Sequence, residues 1–264
     1  MKMTTSVTAL RIKLKNDHLS ESHIIEDDVA VEIPFNIIIN KKHCITLLAS
    51  PDSIKELGIG YLLSEGMLKS FDECIRVEVS ENNINIDTRS ECDFRRSKIL
   101  KLITTACVST SDYLNLLART KIFVSSKTSI AANKIFEIIR NLNSKSEIFK
   151  KTGGTHAAGL FDPVNGNALC IFEDVGRHNA IDKVVGFAAL HGLDFSKFAL
   201  ASTGRQPADM VLKAARVGIP IIISVSGPIN SGIVLAEKTG VTLVCFVRGK
   251  RMNVYSYKER ITFK

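Results

Sequence analysis

From Ala168 onward the chain alternates short apolar runs with helix-like stretches: "ALCIFEDV" leads into "GRHNAIDKVVGFAALHG", "FALAST" into "QPADMVLKAARVG", "IPIIISVS" into "INSGIVLAEKTG", and "VTLVCFVRG" into a last strand-like "MNVYSY". Strands joined by one helix each run parallel, because a parallel pair needs a crossover long enough to hold a helix, and the helices then cover the faces of the sheet. The pattern predicts an α/β fold with a mostly parallel sheet. Just upstream, "TSIAANKIFEIIRNLN" places Ile135, Ile138, Ile139 and Leu142 at helical spacing. "HAAGLFDPVNGNALCIFEDV" reads as a hairpin turning at Asn165-Gly166.

The N-terminal part has a different texture. "TALRIKLK" alternates Leu10, Ile12 and Leu14, and "EIPFNIIIN" with "HCITLLA" forms a hairpin around Asn40 to Lys42. "SPDSIKELGIGYLLSEG" is a helix with Ser50 as its expected N-cap and Gly66 just past its end, and "CIRVEV" with "INI" is a second hairpin. The 264 residues thus divide into a β-rich region at 1–100, a connecting segment at 101–127, and an α/β domain at 128–264.

The alternation also gives the polar clusters a common address. Glu173-Asp174, Ser202 to Arg205, Ser226-Gly227-Pro228 and Arg248-Gly249-Lys250-Arg251 all fall at the carboxyl ends of strands, the edge at which open α/β sheets bind ligands. Arg177 and His178 open a helix, where each cation opposes the helix dipole by about 0.3–1 kcal/mol. A bound phosphate compensates for that and also accepts the free N–H groups of the helix; otherwise Glu173 or Asp174 neutralises Arg177. Asp182, four residues after His178, is expected to steady the histidine. "STGRQ" repeats the arrangement with Arg205, and "VRGKR" adds three cations, so the edge is expected to hold an anionic, diphosphate-bearing ligand. "TGGTHAAG" contributes Gly153 and Gly154, which permit close backbone approach or positive φ, and His156, which is either structural or part of the site.

Other classes are excluded by what the sequence lacks. The six cysteines are scattered without a C-x-x-C pair, which suits a reducing compartment. No histidine or cysteine spacing matches a zinc site, "HAA" lacks the glutamate of H-x-E, and neither a dinucleotide fingerprint nor a P-loop occurs. No metal is expected. The N-terminus has no secretory pattern and no apolar run reaches about 20 residues, so a cytoplasmic protein without a membrane partner is expected. A net charge of +8 calls for an anionic partner, but no Trp and only four Tyr leave little for nucleic-acid stacking. One stretch stays open: "TTACVST" carries Cys107, either a small core residue or a sulfur nucleophile.

Six segments in order, "EIPFNIIINKKH", "SPDSIKELGIGYLLSEGML", "TGGTHAAGL", "FEDVGRHNAIDKVVGFAAL", "STGRQPADMVLKAARVGIPIIISVSGP" and "FVRGKRMNVYSYKERI", resemble the formate dehydrogenase accessory sulfurtransferase family, FdhD. "EDVGRHNAIDK" is the most specific of them. The resemblance implies a cytoplasmic homodimer whose C-terminal domain is a three-layer, cytidine deaminase-like fold without zinc. It implies a sulfurtransferase that takes persulfide sulfur from a cysteine desulfurase and passes it to the molybdenum of bis-(molybdopterin guanine dinucleotide), the cofactor of formate dehydrogenase. Cys107 matches the first cysteine of the family's C-G-x-C-G loop and is the implied carrier. Phe246, Val247, Arg248, Gly249, Lys250 and Arg251 match a cofactor-binding segment, joined by Arg177, His178, Arg205, Gly153, Gly154 and His156. The chain departs from the loop pattern at Val108, in place of glycine, and at Thr110, in place of the second cysteine. An alternative reading is therefore a paralogue that binds molybdenum cofactor or a guanine nucleotide without moving sulfur. A cysteine hydrolase using Cys107 with His156 or His178 explains the basic loops poorly.

Overall fold

In the computed structural model, residues 2–89 and 121–263 are described. A six-stranded sheet of order β13-β12-β11-β10-β8-β9 forms the centre of the C-terminal half. Its strands are β8 (His156–Phe161), β9 (Ala168–Asp174), β10 (Ala199–Ser202), β11 (Ile221–Ser224), β12 (Thr242–Arg248) and β13 (Arg251–Val254). The parallel part is narrower than the alternation implies. β10, β11 and β12 pair in parallel, whereas β8 runs antiparallel to both β9 and β10, and β13 returns antiparallel along β12. Hairpins at both flanks cause this, one turning at Gly166 (φ +77°) and the other at Gly249 (φ +59°). Because β8 lies between them, β9 and β10 point the same way, and the carboxyl ends of β9 to β12 share one edge with the start of β8.

Side chains of the sheet alternate between two cores, as strand geometry requires. Ala157, Phe161, Ala199, Ala201, Ile221, Ile223 and Val244 face one way and pack with Ile135, Ile138, Ile139 and Leu142 of helix α2 (Ala132–Lys145). Leu160, Leu200, Ile222, Leu243 and Cys245 face the other and meet helices α4 (Arg177–Leu190), α5 (Ala208–Val217) and α6 (Asn230–Thr239). The result is helix, sheet, helix in three layers. A short helix α3 (Glu147–Thr152) and a small parallel pair, β7 (Ile130–Ala131) with β14 (Ile261–Thr262), complete this part.

The N-terminal part contributes a second sheet, β4-β3-β6-β5, from β3 (Ile33–Ile39), β4 (Lys42–Ala49), β5 (Cys74–Ser80) and β6 (Asn83–Thr88). Both expected hairpins form. Phe35, Ile37, Ile39, Ile84 and Ile86 turn inward and join the core of α4 to α6 without a break. Helix α1 (Ile54–Ser64) lies between, and it starts later than expected. Its cap is Ser53 in the left-handed region at φ +52°, with no capping side-chain bond, because Ser50 is engaged elsewhere. A strand the sequence reading omitted, β2 (His18–Ala30), pairs antiparallel with β1 (Thr4–Lys15) in a long two-stranded ribbon, laced by ion pairs such as Arg11–Asp27 and Lys13–Glu21. The expected connecting segment 101–127 lies outside the described residues as far as 120; beyond that, the chain is pinned where Val124 N–H donates to the Thr239 carbonyl and Ser126 Oγ to that of Ser196.

Two glycines set how closely α1 and α4 cross. A Cβ on Gly60 would lie 1.7 Å from the Asp182 carbonyl oxygen, and one on Gly186 would lie 1.9 Å from that of Glu56. Both clashes are with backbone, which cannot rotate away. Gly186→Ala is expected to cost about 3 kcal/mol, the upper end for overpacking, read as a lowered midpoint in urea unfolding. A loss under about 0.5 kcal/mol would show that the helices separate freely.

Candidate functional site at the strand ends

The loops at the shared edge are braced against one another. In the β10–α5 loop, Ser202 Oγ accepts from Gly204 N–H, while Ser224 Oγ and Gln206 Nε2 both donate to the Gly204 carbonyl. Gln206 N–H donates to the Gly227 carbonyl, and Ser226 Oγ to that of Thr203, which ties this loop to the β11–α6 loop. Thr203 Oγ1 accepts from Ala157 N–H and lies 3.2 Å from His156 Nδ1, reaching across to β8. Small hydroxyl residues close these bonds while leaving the outer surface of the edge to larger side chains.

The β9–α4 turn is held from below. Asp174 Oδ1 accepts from Gly176 N–H and Asn179 Nδ2, and Oδ2 accepts from Ser50 N–H and pairs with the fully buried Lys183 ammonium at 2.7 Å. Ser50 Oγ accepts from Val175 N–H, and Lys183 Nζ also donates to the Ser50 carbonyl. This network fixes the direction in which Arg177 and His178 leave the turn. Asp174 is thus committed to Lys183. Glu173 is committed too, accepting from Ile148 N–H, Phe149 N–H and Thr155 Oγ1. Neither bond set includes Arg177, whose buried Nε finds no partner among the described residues. Gly204 packs on this side chain, since a Cβ there would meet Arg177 Cβ at 3.0 Å and Cδ at 3.1 Å.

Asp182 does not steady His178. It is buried one turn below, where Lys213 Nζ donates to its two oxygens at 2.8 and 3.0 Å and Ser64 Oγ donates at 2.6 Å. Glu65 adds a second carboxylate 2.8 Å from Lys213. Burial alone would push the Lys213 ammonium down, but the two carboxylates outweigh it and drive its pKa well above the ordinary range. The partner of His178 is Asp209, from the first turn of α5, with Nε2 donating to Oδ2 at 2.9 Å.

His156, Arg177, His178 and Arg205 come together. Burial, then the charges of Arg177, Arg205 and His178, hold the His156 imidazole below its usual pKa of 6.5. At the other end of the edge, Phe246 sits in a bulge of β12 at φ +54°, uncommon for a bulky residue. The bulge removes Phe246 from the strand alternation, so Val247 turns into the core and Phe246 stays half-exposed against Gly227, where a Cβ would lie 2.6 Å from the ring. Val247 therefore presents no side chain to the edge. Arg248 Nε donates to the Val225 carbonyl, and Lys250 and Arg251 are exposed. Gly153 (φ +66°) closes α3 and faces open space, while a Cβ on Gly154 would lie 3.1 Å from the Ala30 Cβ at the base of the ribbon. Cys107, Val108 and Thr110 lie outside the described residues.

Asp209 was missed from the sequence, Ser50 reads there only as a helix cap, and Thr203, inside the Ser202 to Arg205 cluster, gives no sign there of its bonds to β8. Asp209 looked like an ordinary first-turn acid, and only its place beside a second helix that opens with a cation could have singled it out. Among the described residues, no group of three or more His, Cys, Asp or Glu could hold a metal. Burial pushes the Cys170 and Cys245 thiols up to about 12, so neither supplies a thiolate near neutral pH. No helix is long and apolar enough to cross a membrane among the described residues.

Relatives cover the whole arrangement. Residues 30–262 match the FdhD/NarQ family. The "Sulfur carrier protein FdhD" of Methanothermobacter thermautotrophicus is 34% identical over 99% of this chain and 100% of its own length, and the Bacillus subtilis protein of that name is 30% identical over 98% and 99%. A crystal structure of a putative formate dehydrogenase accessory protein from Desulfotalea psychrophila superposes with a TM-score of 0.77 at 28% identity, covering 97% of this chain and 99% of that one. With its characteristic segments lying in order and its strand-end loops in place, this chain belongs to the FdhD/NarQ family.

Proposed function

We propose that the protein is a sulfur carrier for formate dehydrogenase, with Cys107 taking sulfur from a cysteine desulfurase and the strand-end edge holding the molybdenum bis-(molybdopterin guanine dinucleotide) that receives it. The cofactor is substrate here, not a resident group. In the loading step the Cys107 thiolate attacks the outer sulfur of the desulfurase persulfide, the S–S bond of the donor breaks, and the desulfurase thiolate leaves. Homodimerisation and a cytoplasmic site of action belong to the same reading, as the family resemblance implies. Thr110, standing where the family has a second cysteine, favours the competing reading of a binder that moves no sulfur.

The observation that carries the ligand assignment is the convergence of Arg177, His178, Arg205 and His156, with Glu173 and Asp174 committed elsewhere and Asp209 paired to His178 alone among them. A diphosphate neutralises Arg177 and Arg205, and the half-exposed Phe246 ring offers a face to a planar base. Calorimetry with GDP, a fragment of the cofactor, tests this. Arg205→Ala and Arg248→Ala should each weaken binding roughly ten- to hundred-fold, the value of a charge-assisted contact, and binding should weaken further as salt rises. Undiminished binding in both variants contradicts the site.

A further inference from the structure

We infer that Asp209 is a positioning residue of the anion site: it holds His178 through Nε2, leaves Nδ1 for the ligand, and thereby couples anion binding to protonation of His178. The inference rests on the strand-end edge being the anion site. Its basis is the 2.9 Å contact between the first turns of α4 and α5, which is partly exposed at that edge. A carboxylate among cations that recruit an anion weakens binding unless it brings a cation of its own, and here that cation is the imidazolium.

The two protonation states of His178 differ at one atom. When neutral, with its proton on Nε2 toward Asp209, the ring presents a bare Nδ1 that repels a phosphate oxygen. When protonated, Nδ1–H becomes a charge-assisted donor. Around the pair stand Arg177 beside it on α4, His156 on β8, Arg205 in the β10–α5 loop and Lys213 one turn down α5. Asp182 and Glu65 are taken up by Lys213, which leaves Asp209 to hold the imidazolium. The Asp209 carboxyl is itself held below its ordinary pKa: burial works to raise it, but the hydrogen bond and charge of His178, with the Met210 N–H and Lys213, outweigh burial. By reciprocity, an anion that prefers protonated His178 raises the pH at which that proton is lost.

GDP affinity measured by calorimetry from pH 6 to 9 tests the coupling. In the wild type it should fall with rising pH, approaching about tenfold per pH unit where His178 loses its proton. Asp209→Asn should move that fall to lower pH by about one unit or more, since the imidazolium then stands among cations alone. The ionisations of GDP itself are common to both proteins. NMR of the His178 ring in the wild type gives a second reading that does not depend on the variant folding: GDP should raise its titration midpoint. A folded Asp209→Asn protein with an unchanged pH profile, or a His178 midpoint that GDP leaves in place, overturns the inference alone. Absence of GDP binding at every pH overturns the anion site with it.

Discussion

Lys213→Met is expected to destabilise the protein by about 3–5 kcal/mol at pH 7, the cost of breaking a buried ion pair from one side, or roughly 10 °C in thermal midpoint for a chain of this size. The variant leaves Asp182 and Glu65 facing each other without the ammonium that now contacts both. Arg216, 3.6 Å from Glu65, covers only part of that loss. The wild-type contribution has the sign of a lysine with a raised pKa: it is fully present below the ordinary value of 10.5 and fades only as pH climbs above it. In the variant the bare carboxylates take up protons as pH falls, so the gap to wild type should narrow between pH 7 and 5. Removing both partners, Lys213→Met with Asp182→Leu, should recover much of the loss. Urea unfolding across that pH range checks each statement, and a loss under about 1 kcal/mol for Lys213→Met contradicts the clamp.

That clamp also shows where sequence reading stops. The strand-end position of Arg205 and Arg248 was legible, because alternating strands and helices put both at carboxyl ends whichever side chains they later met. The cation pair opening α4 was legible from its position against the helix dipole. The partner of His178 was not. Spacing on one helix favours Asp182 at i+4, but α5 lies beside α4 and offers its own i, i+4 pair, Asp209 and Lys213. The helices are joined at two levels, His178 to Asp209 at the edge and Asp182 to Lys213 in the core. The crossing that seats them depends on Gly60 and Gly186, whose role appears only when the backbones are in contact. The bulge at Phe246 was invisible for a similar reason: an apolar run reads the same with or without one extra residue. β2 was missed because "HLSESHIIEDDVA" has no clean alternation, and its extended form comes from pairing with β1. Ser50 read as a helix cap, whereas its hydroxyl and backbone serve the β9–α4 turn more than a hundred residues away.

Cys107→Ser should abolish sulfur loading. Of the other cysteines, Cys170 and Cys245 have thiols raised to about 12 and are poor nucleophiles near neutral pH. With Thr110 in the second cysteine position, no short C-x-x-C disulfide can form within the loop, and a hydroxyl cannot take the sulfur over as a thiol would. The persulfide on Cys107 should therefore persist until an acceptor arrives, and Thr110→Cys should shorten its lifetime under mild oxidant.

The most direct measurement is the intact mass of the protein after incubation with a cysteine desulfurase and cysteine, with and without reducing agent, followed by peptide mapping. The account predicts a gain of one sulfur, removed by reduction, mapped to Cys107 and missing in Cys107→Ser. Sulfur on Cys44, Cys170 or another cysteine with Cys107 unlabelled, or no sulfur at all while GDP still binds, would contradict the carrier and leave a cofactor-binding protein in its place.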